Sequence, residues 1–168
     1  MEGPPDGLVV HTPHWETRRH LVAHLARSVR RDGPSLLVVG SVSQTLIVDI
    51  PSAWWLTSNG RYKWPDKARR TKRLRTIALL EARRQHLAPV TGMVSVIATV
   101  HYRTAVRADP ANAQPTLKAL VDGCTDAGIW ADDDSTHLIG PDPRRGCNLP
   151  GLRPGEHRVV LTITPECN

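Results

Sequence analysis

After residue 43, the chain alternates between stretches rich in β-branched residues and stretches whose apolar residues recur at helical spacing. The run 93–102 is the longest of the first kind and predicts a strand. Leu117, Leu120 and Val121 follow Pro115 at helical spacing, and proline suits the first turn of a helix. We predict strands at 45–50, 93–102, 137–140 and 158–164, and helices at 65–85 and 115–128. This β-α-β-α-β-β order indicates an α+β domain in which helices pack on a mixed sheet.

The first 43 residues differ in character and are expected to form an extension to this domain. Residues 1–13 are rich in glycine and proline, which disfavour regular structure. Leu21, Leu25 and Val29 then recur at helical spacing among arginines, and they predict a basic amphipathic helix over residues 15–31. We therefore expect a partly helical, basic N-terminal extension at 1–43 and one compact domain at 44–168.

Charge and composition narrow the class of partner. A formal net charge of +6 and a pI near 9.8 favour polyanionic partners, because cations neutralise phosphates. Three cysteines are too few and too scattered for a disulfide framework or a zinc site. No apolar run reaches the ~18 residues that a membrane-spanning helix needs. We expect a soluble protein of a reducing compartment, with no membrane partner.

Acidic residues gather in the segment 109–134, on both sides of the second predicted helix. Lys118 and Asp122 are four residues apart and share one face of that helix, and Asp109 precedes it. A tight return after the helix can bring three more carboxylates alongside, those of Asp132, Asp133 and Asp134. Carboxylates and water are the ligands that Mg²⁺ and Mn²⁺ prefer. A turn acid, an exposed helix pair and a solvated loop would explain the same residues without a metal.

Basic residues crowd the first predicted helix: Lys67, Arg69, Arg70, Lys72, Arg73 and Arg75. The run is either a solvated face or a contact surface for the DNA backbone, which Arg103 and Arg107 would extend towards Asp109. In both cases we expect its side chains to face solvent. The same helix offers apolar residues to the core: Leu74, Ile77, Ala78 and Leu80. Three aromatic residues nearby are either stacking partners for bases or core residues: Trp54, Trp55 and Tyr62.

The stretch DPANAQPTLKALVDGCTDAGIWADDDSTHLIGP, which starts at Asp109, resembles the RusA family of Holliday junction resolvases. That family has an Asp–x–x–Asn, a helical Lys, an Asp–Gly or Asp–Ala–Leu turn, an Ala–Gly and then paired Asp. Its loop after the first strand, of the Ser–Asn–x–Arg type, is similar to Ser58-Asn59-Gly60-Arg61. The resemblance spans residues 44–164 and implies a RusA-like fold for the β-α-β-α-β-β domain.

The resemblance implies a Mg²⁺-dependent endodeoxyribonuclease, with Mn²⁺ as a second possible metal, that resolves Holliday junctions and other branched DNA by phosphodiester hydrolysis. It also implies a homodimer, DNA contacts from Asn59 and Arg61, and action in the cytoplasm, that of a bacterial host if a phage encodes the chain. Two other functions stay open. One is a branched-DNA-binding protein without catalysis on the same fold, and the other is a protein-interaction module that uses residues 15–31.

Roles of individual site residues follow from the same resemblance. Asp109 and Asp133 match metal-binding acids of the family, and Lys118 matches its catalytic lysine. Many members carry a further acid where this chain has Ala111, and two extra residues precede Lys118. The metal site would then be completed either with more water or by other acids of the segment: Asp132, Asp122 or Asp134.

Overall fold

The computed structural model describes residues 42–105 and 107–166, and its elements occur in the predicted β-α-β-α-β-β order. The strands are β1 (Gln44–Ile50), β2 (Val94–Tyr102), β3 (Leu138–Arg145) and β4 (His157–Pro165). The helices of the described residues are α1 (Trp64–Arg84) and α2 (Gln114–Asp126), with short 3-10 turns at Ser52–Trp54 and Pro110–Ala113. The prediction of an α+β domain is confirmed. The helix predicted at 15–31 lies outside the described residues, and the division at residue 43 stays a prediction.

The four strands form one mixed sheet in the order β1-β4-β2-β3. β4 pairs antiparallel with both β1 and β2, whereas β2 and β3 run parallel. Leu161 of β4 pairs with Leu46 on one side and Ala98 on the other, so three buried side chains form a layer across the sheet. Neighbouring parallel strands need a crossover connection, and the segment that contains α2 supplies it between β2 and β3.

The hydrophobic core lies between one face of this sheet and the two helices. Along β1, Leu46, Val48 and Ile50 are buried while Ile47 and Asp49 are exposed, as the two-residue period of a strand requires. The helices bury residues at helical spacing: Leu74, Ala78 and Ala82 from α1, and Leu117, Leu120, Val121 and Cys124 from α2. Since the chain has no phenylalanine, aliphatic side chains fill most of this core.

The buried face of α1 is narrower than the sequence suggests. Leu74 and Ala78 are buried as expected and Ile77 is partly buried, but Leu80 is 56% exposed. Leu80 lies two residues after Ala78, which places it about 200° around the helix and on the far side from the core. Cations cover much of the remaining surface of α1. In the part of the chain that the structure describes, no helix is both long and apolar enough to cross a membrane.

The two helices are in close contact at Gly123. A Cβ at this position would overlap the backbone carbonyl oxygen of Arg75 and the Cβ of Ala78. The absence of a side chain at Gly123 therefore lets α2 lie directly against α1. This close approach brings Arg75 of α1 within reach of the acids on α2.

β3 is longer than the strand predicted at 137–140. The strand continues through Pro141 and Pro143 to Arg145. Proline has no N–H to donate and is tolerated where a strand lies at the edge of a sheet, which is the position of β3. The pairing of β2 with β3 shifts register between Ser95 and Ile97, opposite the first of these prolines.

Side-chain amides satisfy backbone groups near the other edge of the sheet. The amide of Gln85 accepts from the N–H of Ile47 at 3.0 Å and donates to its carbonyl oxygen at 2.7 Å. The amide of Gln44 exchanges two similar bonds with Ala88, at 2.7 and 2.9 Å. The end of α1 and the residues after it are thus tied to β1 without a further strand.

Candidate active site

The chain enters α2 through a turn that Asp109 stabilises. The Asp109 carboxylate accepts a hydrogen bond from the N–H of Ala111 at 2.9 Å, as a capping residue does. Arg145, at the end of β3, donates to the carbonyl oxygen of Ala108 at 3.1 Å and lies over the ring of Tyr102. Asp109 is therefore held at the surface between the end of β2 and the start of α2.

Lys118 is the centre of the site. Its ammonium donates hydrogen bonds to Asp122, one turn further along α2 at 2.8 Å, and to Asp133. Asp133 comes from the loop that follows Gly128, whose φ of +77° gives the tight return expected from the sequence. The Lys118 side chain is 54% exposed, whereas those of Asp122 and Asp133 are 20% and 25% exposed. The cation is therefore more accessible than the two acids that hold it.

These contacts keep the lysine and Asp133 charged. The hydrogen bond from Lys118 is the main cause that lowers the pKa of Asp133. Burial opposes the charge of Lys118, but its hydrogen bonds to Asp122 and Asp133 outweigh burial and raise its pKa. Asp132 supports the arrangement from beside it, since its carboxylate accepts the backbone N–H of Asp133 at 2.7 Å.

Arg75 has a role that the sequence did not reveal. Its guanidinium donates two hydrogen bonds to Asp126, at 2.7 and 2.9 Å, and lies 3.8 Å from the second carboxylate oxygen of Asp122. The hydrogen bonds to Asp126 are the main cause that raises the pKa of Arg75. Arg75 is thus hydrogen-bonded to Asp126 and lies near the Asp122 oxygen that does not accept from Lys118. The sequence signal for this contact was that Asp122 and Asp126 are four residues apart and so share one helix face.

Asp134 bonds to residues outside this cluster. Its carboxylate accepts hydrogen bonds from the hydroxyl and the N–H of Thr136, at 2.6 and 2.8 Å, and contacts the ring of His137. These bonds lower its pKa strongly. Of the acids named from the sequence, the structure therefore brings Asp122, Asp132 and Asp133 together around the lysine. No hydrogen bond or ion pair among residues 42–105 and 107–166 joins Asp109 or Asp134 to them.

The donors present fit a divalent cation that is bound by few protein ligands. Among the described residues, no three His, Cys, Asp or Glu side chains form a ready metal cluster. Asp122 and Asp133 nevertheless converge on one cationic atom, the Lys118 ammonium. Mg²⁺ commonly binds through one or two carboxylates and takes its other ligands from water and substrate phosphates. The pair Asp122 and Asp133, with Asp132 beside them, matches that donor set.

The loop after β1 is fastened to the start of α2. The buried hydroxyl of Thr116 accepts from the N–H of Leu56 at 2.9 Å and donates to its carbonyl oxygen at 2.8 Å. Two further bonds follow, from the N–H of Ser58 to the Asn112 carbonyl and between the amides of Asn59 and Asn112. The Ser58–Arg61 loop singled out in the sequence therefore lies against the turn that begins at Asp109. Thr116 was not foreseen.

The basic residues of α1 divide into paired and unpaired groups. Arg69 and Arg70 both bind Asp66, at 2.6 and 2.9 Å. Arg70 also lies over the ring of Tyr62, and its side chain is only 24% exposed, contrary to the expectation that the run faces solvent. Lys67, Lys72 and Arg73 are exposed, and none has a salt bridge to an acid of the described residues. Arg61, Arg103 and Arg107 are also exposed.

The three aromatic residues considered for base stacking pack against the core. Trp54, Trp55 and Tyr62 are partly buried, and Trp55 stacks on His157 with ring centroids 3.9 Å apart. The second interpretation from the sequence, that these side chains belong to the core, is therefore the one that the packing supports.

Compared with protein-family models and with curated proteins, the chain gives no match.

Proposed function

We propose that this chain is a divalent-metal-dependent endodeoxyribonuclease of the RusA type, which cuts branched DNA, Holliday junctions above all, by hydrolysing a phosphodiester bond. The observation that carries the proposal is the meeting of Lys118 with Asp122 and with Asp133, which lies 15 residues away in the chain. Exposed ion pairs contribute little to stability, so folding alone gives a weak reason for this arrangement. A charged lysine between acids, close to a cationic helix, suits a reaction at a phosphate.

The site residues have different roles in the proposed reaction. Lys118 stays protonated because its pKa is raised, and its exposed ammonium is available to a phosphate oxygen as negative charge grows in the transition state. Asp133 stays ionised at neutral pH, and with Asp122 it is the proposed metal ligand. Mg²⁺ or Mn²⁺ bound there would supply Lewis acidity and a water of lowered pKa. Arg75 forms an ion pair with Asp122, and Asp132 accepts the backbone N–H of Asp133.

DNA binding is assigned to the cationic surface of α1 and to the loop beside Asp109. Lys67, Lys72 and Arg73 carry charge that no described acid neutralises, which suits the phosphate backbone. Asn59 and Arg61 belong to the loop that rests on the Asp109 turn. Asp109 itself enters the proposal as a metal ligand through the resemblance alone. The homodimer is proposed from the same resemblance, because two paired cuts resolve a junction.

A branched-DNA-binding protein without catalysis is the second candidate function. Two observations favour it: Ala111 stands where the family commonly has an acid, and Asp109 serves as a cap for the turn. The two functions share a DNA-binding surface and differ in whether a metal-dependent cut follows binding.

The deciding experiment incubates the full chain with labelled four-way junction and with linear duplex of the same sequence, in Mg²⁺, in Mn²⁺ or in EDTA. We expect cleavage of the junction in either metal, none in EDTA, and little cleavage of the duplex. Junction binding without cleavage in any metal would establish the second candidate. Failure to bind either DNA would contradict both.

Variants then test the site. Asp133→Asn should abolish cleavage while junction binding is kept or tightened, because it removes a ligand and a charge that repels phosphate. Lys118→Ala should slow cleavage by roughly 100-fold or more, the scale of removing one preorganised electrostatic group. Asp142→Asn is the matched control, since Asp142 is an exposed acid whose only salt bridge among the described residues is to Arg144. Equal rates for Asp133→Asn and Asp142→Asn would refute the site.

A further inference from the structure

Among the tryptophans that the structure describes, Trp64 is the one whose side chain lies mostly in solvent. It is 80% exposed at the first residue of α1, while Trp130 is buried and Trp54 and Trp55 pack against the core. Covering the apolar surface of an indole ring by a bound partner is favourable in proportion to the area removed from water. Among residues 42–105 and 107–166, Trp64 belongs neither to the hydrophobic core nor to the side chains packed against it.

Trp64 stands at one end of a groove of about 670 Å³ along α1. Ala68, Thr71 and Leu79 line the groove with apolar surface, and Lys67 and Lys72 line it as cations. Arg75 and Asp126 also line the groove, and they neutralise each other through their two hydrogen bonds. The groove therefore combines an accessible aromatic face with two uncompensated positive charges.

Lys67 connects this groove to the candidate site. It also lines a smaller pocket of about 140 Å³, formed with Ser58, Gly60 and Pro115. Ser58 in turn donates its N–H to Asn112, in the turn that follows Asp109. A chain that lies in the groove is thus directed past Lys67 towards the loop of the candidate site.

We propose that this groove binds a single-stranded segment of DNA, with one unpaired base stacked on Trp64 and the flanking phosphates against Lys67 and Lys72. Aromatic rings bind bases through their faces without regard to sequence, and lysines neutralise the backbone. Cations beside the aromatic ring distinguish this groove from a surface for an apolar helix, which would leave both lysines without partners. The inference rests on the proposed function for its ligand, because branched DNA offers unpaired or loosened bases.

The test measures binding of a fluorescently labelled single-stranded oligothymidylate and of a linear duplex, by anisotropy, to the full chain and to three variants. Trp64→Ala should weaken oligothymidylate binding by roughly 10-fold, within the range for removing one base–aromatic stack. Trp64→Phe should retain most of the affinity, because it keeps an aromatic face. Leu80→Ala is the control, since Leu80 is an exposed apolar residue of α1 outside the groove. Duplex affinity should change by less than about two-fold in all three, as stacking is not part of backbone contact.

Unchanged oligothymidylate affinity in Trp64→Ala would overturn the inference. The same conclusion follows if Trp64→Ala only converts a wild-type dimer into a monomer in sedimentation, which would identify the groove as an interface between copies. The proposed nuclease function is tested by a separate result, the cleavage of junctions. A wild-type chain that binds oligothymidylate through Trp64 but does not cut junctions supports the groove alone, whereas one that cuts junctions with Trp64→Ala binding normally supports the nuclease alone.

Discussion

Thr116 shows how a single buried hydroxyl fixes a loop. It is fully buried, and its oxygen both accepts from and donates to the backbone of Leu56, 60 residues earlier in the chain. Valine has nearly the same shape as threonine but no hydroxyl. The two backbone groups of Leu56 would then lie buried without partners.

We expect Thr116→Val to lower the free energy of unfolding by about 1–3 kcal/mol, the range for leaving buried polar groups unpaired. Urea unfolding followed by tryptophan fluorescence measures this loss. Thr76→Val is the control, because Thr76 is exposed on α1 and bonds only within its own helix. Its effect should stay within about 0.5 kcal/mol. Similar losses in both variants would mean that the buried hydroxyl of Thr116 contributes no more to stability than an exposed one.

The site could be predicted from the sequence only where local spacing carries the information. Lys118 and Asp122 share a helix face because they are four residues apart, and this is visible in the sequence. Asp133 was expected beside them because of the tight return after the helix, and the resemblance gave it a metal-binding role. Arg75 and Thr116 were not reached, since their partners lie 51 and 60 residues away and their contacts depend on how the helices and the loop pack.

Among the elements, the contact between α1 and α2 depends on Gly123. A methyl group at this position would overlap the Arg75 carbonyl. Overpacking of this kind costs about 1–3 kcal/mol, and the better helix propensity of alanine offsets about 1 kcal/mol. We therefore expect Gly123→Ala to lower the midpoint of urea unfolding. Thr76→Ala, which changes propensity on an open surface, should leave the midpoint unchanged or raise it. A stabilised Gly123→Ala would show that the helices can separate without loss.

The cations of α1 predict a specific salt dependence. Changing Lys67, Lys72 and Arg73 together to Gln removes charges that no described acid neutralises. The plot of log affinity against log salt for duplex and junction should flatten by about 0.9 for each phosphate that the variant no longer neutralises. Arg83→Gln, an exposed cation in the last turn of α1, should alter the slope less for each charge removed. An unchanged slope in the triple variant would place DNA on another face.

Most element boundaries followed from periodicity, and the exceptions have physical causes. The bounds of α1, α2, β1, β2 and β4 lie within one or two residues of prediction, because long periodic segments define them. β3 exceeded its prediction by five residues at its end, since the sequence does not reveal that its prolines lie on an edge strand. Leu80 was expected in the core but is exposed, because periodicity alone did not show which side of α1 packs inward.

At the scale of the whole molecule, ion pairs between elements make stability depend on pH. Asp49 binds Arg158 between β1 and β4, and Asp126 binds Arg75 between α2 and α1. Hydrogen bonds from these arginines are the main cause that lowers the pKa of both carboxyls. Below the ordinary pKa of about 4 the unfolded chain binds more protons than the folded one. Their stabilisation is thus complete above that pH and is lost as pH falls through the lowered values.

His157 adds a loss of stability that begins at a higher pH than the loss from the two carboxyls. Burial lowers its pKa below the ordinary 6.5, so the unfolded chain takes up this proton first, and stability begins to fall below about pH 6.5. We expect the urea midpoint to fall in two stages, one below about pH 6.5 and one below about pH 4. His157→Phe keeps an aromatic ring on Trp55 and should remove only the first stage. A wild-type midpoint that is constant from pH 7 to 5 would contradict the role of His157.

The two edges of the sheet also decide how copies of this chain can meet. A strand from another molecule that approached β1 would find both backbone groups of Ile47 already occupied by the Gln85 amide. One that approached β3 would meet Pro141 and Pro143, which offer no N–H. Growth of a continuous sheet from molecule to molecule, the first step towards fibrils, is therefore disfavoured at both ends. A dimer formed by the described residues is therefore expected to use a surface other than these two strand edges, where association can stop at two.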